Sequence, residues 1–218
     1  MSLVCQCPAA AAITTIPNVT CPQNFGQIQT VAFQRLTQAD GTKNKFSSTN
    51  SILLKASWTA AMAAEGTTEG GKKIVISPYI NAPADGGGDA RMSSGGNDDL
   101  GGTPEVLGGE PVQFTGQLRA VPQAVIAAMK PLMCEANVHN IGVYLFDENG
   151  NIEAIAGATE GEYFPIPIQS LFIGSKIHGN YDAKDMNNIS WYYPDNYSDD
   201  LVILKPTDFN PLTDLIPA

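Results

Sequence analysis

The stretch QFTGQLRAVPQAVIAAMKPLMCEANVHNIGVYLFDENGNIEAIAG, residues 113–157, decides the fold. It opens inside an alternating strand, Val112 to Ala120. An apolar helix follows from Pro122, whose missing N–H costs nothing in a first helical turn. Val125, Met129, Leu132 and Met133 form its buried stripe, and Cys134 reads as a small core residue on the same helix. The ring of Pro131 clashes with the carbonyl four residues back, which predicts a kink or break there. Ile141, Val143 and Leu145 then point one way along a strand, and Tyr144 and Phe146 the other. A strand apolar on both faces needs two covers, the second being another sheet or another subunit. Asn149-Gly150 supplies the positive φ values of a hairpin turn, and Ile152 to Ala156 returns. Nothing in the stretch reads as catalytic.

Upstream, residues 1–24 contain Pro8, Pro17 and Pro22, show no clean period and read as an extended N-terminal arm. Gln27 to Leu36 is a strand with Val31, Phe33 and Arg35 on one face and Ile28, Thr30 and Ala32 on the other. Thr49 and Asn50 are candidate caps for a helix to about Ala64, with Leu54, Trp58, Ala61 and Met62 as its core stripe. Lys73 to Tyr79 is a short buried strand. Residues 83–109 hold nine glycines with Asp85, Asp89, Asp98 and Asp99. No calcium-loop spacing with a closing Glu is present, and no phosphate-loop pattern. This Gly-rich loop reads as a flexible excursion that orders against a partner.

Downstream, Tyr163 to Ile173 is a strand carrying Pro165 and Pro167, which mark it as an edge or a strand start. Residues 174–188 form a polar loop with His178. Ile189 to Tyr193 and Leu201 to Lys205 are the last strands. The tail 206–218 is proline-broken and apolar enough to need a docking surface. The expected organisation is therefore an arm (1–24), a single β-rich domain (25–205) and a C-terminal tail (206–218). The fold class is mainly β (α+β): an antiparallel β-sandwich or barrel with one or two flanking helices, long loops and extended terminal arms.

Charged residues make up only 16% of the 218 positions, below the roughly 25% of a typical soluble domain. That suits a surface covered by neighbours; a monomer with a Ser/Thr/Asn-rich surface is the alternative. The net charge of −10 and the lack of a Lys/Arg cluster argue against nucleic acid as a ligand. A negative wall can still line a conduit that DNA passes without sticking. Cys5, Cys7 and Cys21 lack the spacing and the nearby histidines of a zinc knuckle. No apolar run is long enough to span a membrane and no secretory signal is read, so the chain is expected to start in a cytoplasm.

Only two histidines are present, His139 and His178, and no nucleophile elbow or zinc-protease motif accompanies them. Carboxylate pairs leave a glycosidase-like arrangement open, but most acids sit in Gly/Asn/Ser turns. The sequence thus reads as a non-enzyme: no catalytic, cofactor-binding or metal residue is assigned, and no cofactor is expected.

Five segments carry a family resemblance: CPQNFGQIQTVAFQRL (21–36), KIVISPYINAP (73–83), FTGQLRAVPQAVIAAMKPLMCEA (114–136), GVYLFDENGNIEAI (142–155) and DLVILKPTDFNPLTDL (200–215). The chain resembles virion structural proteins of tailed bacteriophages of Bacteroides-like bacteria. Its size and β content resemble a tail-tube or tail-ring subunit. The resemblance implies a β-sandwich or barrel lining a channel in a ring, with arms and loops binding the same or the next ring. It implies self-association, contact with neighbouring virion proteins, DNA passing through without specific binding, and a place in the virion. Two alternatives stay beside it. One is a capsid decoration or head-fibre protein. The other is a carbohydrate-binding β-sandwich, which needs Trp58, Trp191 and Tyr192 in an exposed aromatic platform.

Overall fold

The protein is represented by a computed structural model that describes residues 16, 18, 19, 24–38, 40–63, 74–98 and 100–215. The N-terminal arm and its three cysteines lie largely outside those residues.

Three layers follow from one strand. Strand β7 is preceded in the chain by β1 (Ile28–Arg35), α1 (Lys55–Ala63), β2 (Val75–Ile76), β3 (Asn81–Gly86), β4 (Ala90–Met92), β5 (Val106–Gly109), β6 (Gln113–Arg119), α2 (Gln123–Met129) and α3 (Leu132–Asn137). β7 itself spans Ile141–Asp147, and all seven residues are buried. It is followed by β8 (Ile152–Ala156), β9 (Tyr163–Phe164), β10 (Ile166–Pro167), β11 (Gln169–Ile173), β12 (Met186–Tyr192), β13 (Leu201–Leu204) and α4 (Pro211–Asp214).

The first sheet runs β13-β8-β7-β1-β2, with β9 and β10 attached to β8 and β7; the second runs β11-β12-β6-β3; β4 and β5 form a separate ribbon. All these pairings are antiparallel. Among the described residues neither main sheet closes on itself, so the architecture is sandwich-like and open.

Ile141, Val143 and Leu145 of β7 join Phe114, Leu118, Leu171, Ile189 and Trp191 of the second sheet in one core. Tyr144 and Phe146 join Trp58, Phe46, Ile52 and the C-terminal Leu212 and Leu215 in another. Both covers that β7 requires therefore come from its own chain, and no neighbour is needed there. Phe114 and Trp191, register partners on β6 and β12, stack with ring centroids 3.9 Å apart. Phe33 meets the same indole edge-on at 6.3 Å. On the other face Trp58 packs at 4.7 Å from Phe46 and donates its indole N–H to the Ile52 carbonyl at 2.7 Å.

Several local expectations change. A bulge between Ile28 and Thr30 turns Ile28 onto the same core as Val31 and Phe33. Helix α1 begins at Lys55, not after Asn50, because Ser47 and Asn50 exchange backbone hydrogen bonds in a turn of their own. Ile52 is buried there and Leu54 is exposed. The helix breaks at Pro131 as expected, and Ile126 rather than Val125 points into the core. Cys134 is exposed, not a core residue, because it lies off the inward stripe of Ile126, Met129, Met133 and Ala136. At the β7–β8 turn Gly150 alone has positive φ.

The proline-bearing segment keeps an edge-like pairing but not its continuity: the expected strand from Tyr163 to Ile173 divides into β9, β10 and β11, and β9 and β10 each ladder with one strand, β8 and β7. β8 pairs with β7 only at Leu145↔Glu153 and Phe146↔Ile152, then diverges. β10 takes its place against β7 through Ile166↔Val143 and Pro167↔Gly142, while β9 pairs with β8 through Ile155↔Phe164 and Ala156↔Tyr163. The Pro165 bend thus fills a fork between two strands. Two-residue strand pieces tolerate prolines that a continuous inner strand would not.

The Gly-rich segment is not a featureless excursion either. It contributes edge strand β3, two short 3-10 turns and the β4–β5 ribbon. The tail docks on the chain's own second core through α4. Asn210 caps that helix by accepting the Leu212 amide, and Tyr79 donates its hydroxyl proton to the Leu212 carbonyl at 3.0 Å.

Candidate functional site

The two histidines do not meet. His139 follows α3 at φ 55° and is exposed. His178 lies in the 174–185 loop, 3.6 Å from Asp185, whose other oxygen is 2.9 Å from Lys176. Lys176, donating a hydrogen bond, holds the Asp185 carboxyl below its ordinary range, with the Gly179 amide adding to it. This is an exposed, ion-paired turn. Among the described residues no three His, Cys, Asp or Glu side chains converge as metal ligands, and no helix is long and apolar enough to cross a membrane.

The aromatic platform does not form. Trp58 and Trp191 are fully buried in different cores, on opposite faces of the first sheet, and only Tyr192 reaches solvent. Core packing claimed both indoles because each fills a gap between layers that smaller side chains would leave open.

One half-buried acid stands out. Ile152 and Ala154 of β8 face the α1 core, so Glu153 and Ile155 face the second sheet. Burial, and then the like charges of Asp85 and Asp147, push the Glu153 carboxyl up to about 7. Tyr193 and Tyr197 stack nearby, with centroids 4.3 Å apart. Burial, then Asp85, raises the Tyr193 hydroxyl well above its ordinary value. The Trp191 indole N–H leans toward that hydroxyl without reaching hydrogen-bond geometry. Glu153 sits within the sheet, flanked by Leu145 of β7 and Ile203 of β13. Its proton equilibrium bears on stability near neutral pH. The sequence signal was a charged residue at the inward position of an otherwise apolar strand.

Two surfaces expose apolar side chains together. The first is the β4–β5 ribbon. Met92 and Val106 are register partners on it and are 50% and 66% exposed; Leu107, next along, is 65% exposed. Gly87 and Gly88, at φ 93° and 82°, let the chain leave β3, and a Cβ on Gly87 would stand 2.5 Å from the Pro111 carbonyl oxygen. The Ser93 and Glu105 backbones join the two arms beyond the strands, with Glu105 N also donating to Ser93 Oγ at 2.7 Å.

The second surface is a groove of about 650 Å³ beside the filled fork, with Leu36, Val138, Ile155, Phe164, Pro165 and Pro167 as its apolar wall. Lys43 and His139 stand on its rim. Its shape is held by Asn140, which accepts from both the Thr37 amide (3.0 Å) and the Thr37 hydroxyl (2.7 Å). The Asn140 carbonyl also accepts the Leu36 amide. Val138, 69% exposed on the rim, has no cover among the described residues. The exposed apolar ribbon lies in the Gly-rich segment that the sequence singled out; the groove was not legible, because it joins β1, the α3–β7 turn and β9–β10 from distant parts of the chain.

Comparison with protein families, curated proteins and solved structures finds no match to this chain.

Proposed function

We propose that this chain is a non-catalytic structural subunit of a tailed-bacteriophage particle, a tail-tube or tail-ring protein that assembles into a ring around a DNA channel. The observation that carries the reading is the β4–β5 ribbon, which holds Met92, Val106 and Leu107 out in water. A two-stranded ribbon is marginal by itself and gains stability when another surface covers it. The net charge of −10 supports a wall that repels the phosphate backbone and lets DNA slide. The same charge, with two histidines held apart, gives no support to catalysis. In this reading the protein is assembled in the host cytoplasm and resides in the virion beside other particle proteins.

Negative-stain images and mass photometry of the purified protein test it. Rings or short tubes with a central pore are expected. Trimers without a pore would select a capsid decoration or head-fibre role instead. A strictly monomeric protein, monomeric also with its neighbours in particles, would sink the assembly reading.

A further inference from the structure

We infer that the β4–β5 ribbon of one copy seats in the groove between Val138 and the Pro165–Pro167 bend of the next copy. The inference rests on the assembly reading above and names the two surfaces that would meet.

Three observations carry it. First, the surfaces match in chemistry. The ribbon presents Met92 and Val106 on one face and Leu107 on the other, and the groove offers an apolar wall ending in Val138 and Phe164. Burying such apolar area is the main source of association energy.

Second, their charges are complementary. Residues 89–110 carry Asp89, Glu105 and Glu110 against Arg91 among their described side chains, while the groove is lined by the cationic Lys43. On a chain with net charge −10 and only 12 basic residues, two copies repel unless a contact uses one of those cations. Among the described residues Lys43 has no ion-pair partner, whereas its neighbour Lys45 is paired with Glu162.

Third, the surfaces occupy different parts of the molecule. The ribbon springs from β3, an edge strand of the second sheet among the described residues, whereas the groove is built on the first sheet. A contact between two unlike patches of the same chain is head-to-tail, and repeated contacts of that kind close into rings or extend as filaments. The groove is also ready-formed, since the Asn140 bonds to Thr37 and Leu36 fix its corner before any partner arrives.

The test uses two full-length variants, Leu107→Asp on the ribbon and Val138→Asp on the groove. Both positions are about two-thirds exposed, so folding is expected to survive, and circular dichroism checks this. In sedimentation velocity each variant alone stays monomeric at concentrations where the wild type assembles. Mixed in equal amounts they form heterodimers and nothing larger, because one sound ribbon and one sound groove remain. Lys43→Glu weakens wild-type assembly by about tenfold, and adding Glu105→Lys restores it. If the wild type forms rings and both single variants still do so, the pairing is overturned and the assembly reading stands. If the wild type is monomeric throughout, the assembly reading falls and the groove belongs to a different partner.

Discussion

The carboxylate of Asp147, at the end of β7, accepts the Gly26 amide at 3.0 Å across 121 positions of the chain. It also accepts from the Asn149 and Asn151 amides and from the Asn151 side chain. One fully buried carboxylate thereby ties the entry to β1 to the β7–β8 turn. Burial pushes its proton affinity up, but the hydrogen bonds together hold it below the ordinary 3.8. Its stabilising effect is therefore present above about pH 4 and is lost as pH falls through the lower folded value. Asp147→Ala is expected to cost about 2–4 kcal/mol at pH 7, measured by urea unfolding. The cost should shrink steadily below pH 4.

Glu153 works in the opposite direction. Its carboxyl titrates at 4.5 in a free chain and at about 7 in the fold. The folded state holds the proton more tightly, so stability declines as pH rises from about 4.5 to about 7 and then levels off. Glu153→Gln should leave stability near pH 4.5 unchanged and raise it at pH 8 by about 1 kcal/mol, a figure reduced for the group's contact with water. Thermal unfolding across that pH range checks it, and a variant less stable at pH 8 than the wild type would contradict it.

Gly142 lets β10 approach β7. A methyl group there would stand 2.8 Å from the Ile166 carbonyl oxygen and 2.9 Å from Pro165 Cβ. Gly142→Ala is expected to destabilise by about 1–3 kcal/mol through overpacking. It should also increase amide exchange at Ile168, whose N–H bonds the Ile141 carbonyl.

Asp208 caps α1 from the C-terminal tail, its Oδ1 accepting the Lys55 amide at 3.0 Å. Asp208→Ala should cost about 1 kcal/mol. Truncation after Lys205 should cost more, because it also strips Leu212 and Leu215 from the core around Trp58. Tryptophan emission shifting to longer wavelength in the truncated protein, but not in Asp208→Ala, would separate the two effects.

Much of this fold could be read along the chain. Alternation in Ile141–Phe146 identified both buried faces, Pro131 marked the helix break, and Asn149-Gly150 marked the hairpin. Each is a property of neighbours in sequence: side-chain period, ring sterics, turn conformation. The misses came from long-range partners. Ile28 changed face through a bulge set against β7, and Leu54 fell outside α1, whose first amide, that of Lys55, is capped from the tail by Asp208. The expected strand from Tyr163 to Ile173 was divided at Pro165, because a fork opens where β8 leaves β7 after two pairs and β9 and β10 each take one of its sides. Of the candidate contact surfaces, the ribbon lay within a segment already suspect for its glycines; the groove was invisible.

By itself, the sequence determined that the chain is β-rich, that one strand must be covered on both sides, and that acidic charge dominates its surface. Those follow from composition and period, which need no knowledge of distant contacts. Only the tertiary structure decided what the covers are: a second sheet on one side, α1 and the C-terminal tail on the other. It alone placed Glu153 between the sheets beside Asp85, and set the Val138 rim opposite the proline bend. These are outcomes of which segments meet in space, and burial, charge coupling and groove shape all depend on that meeting.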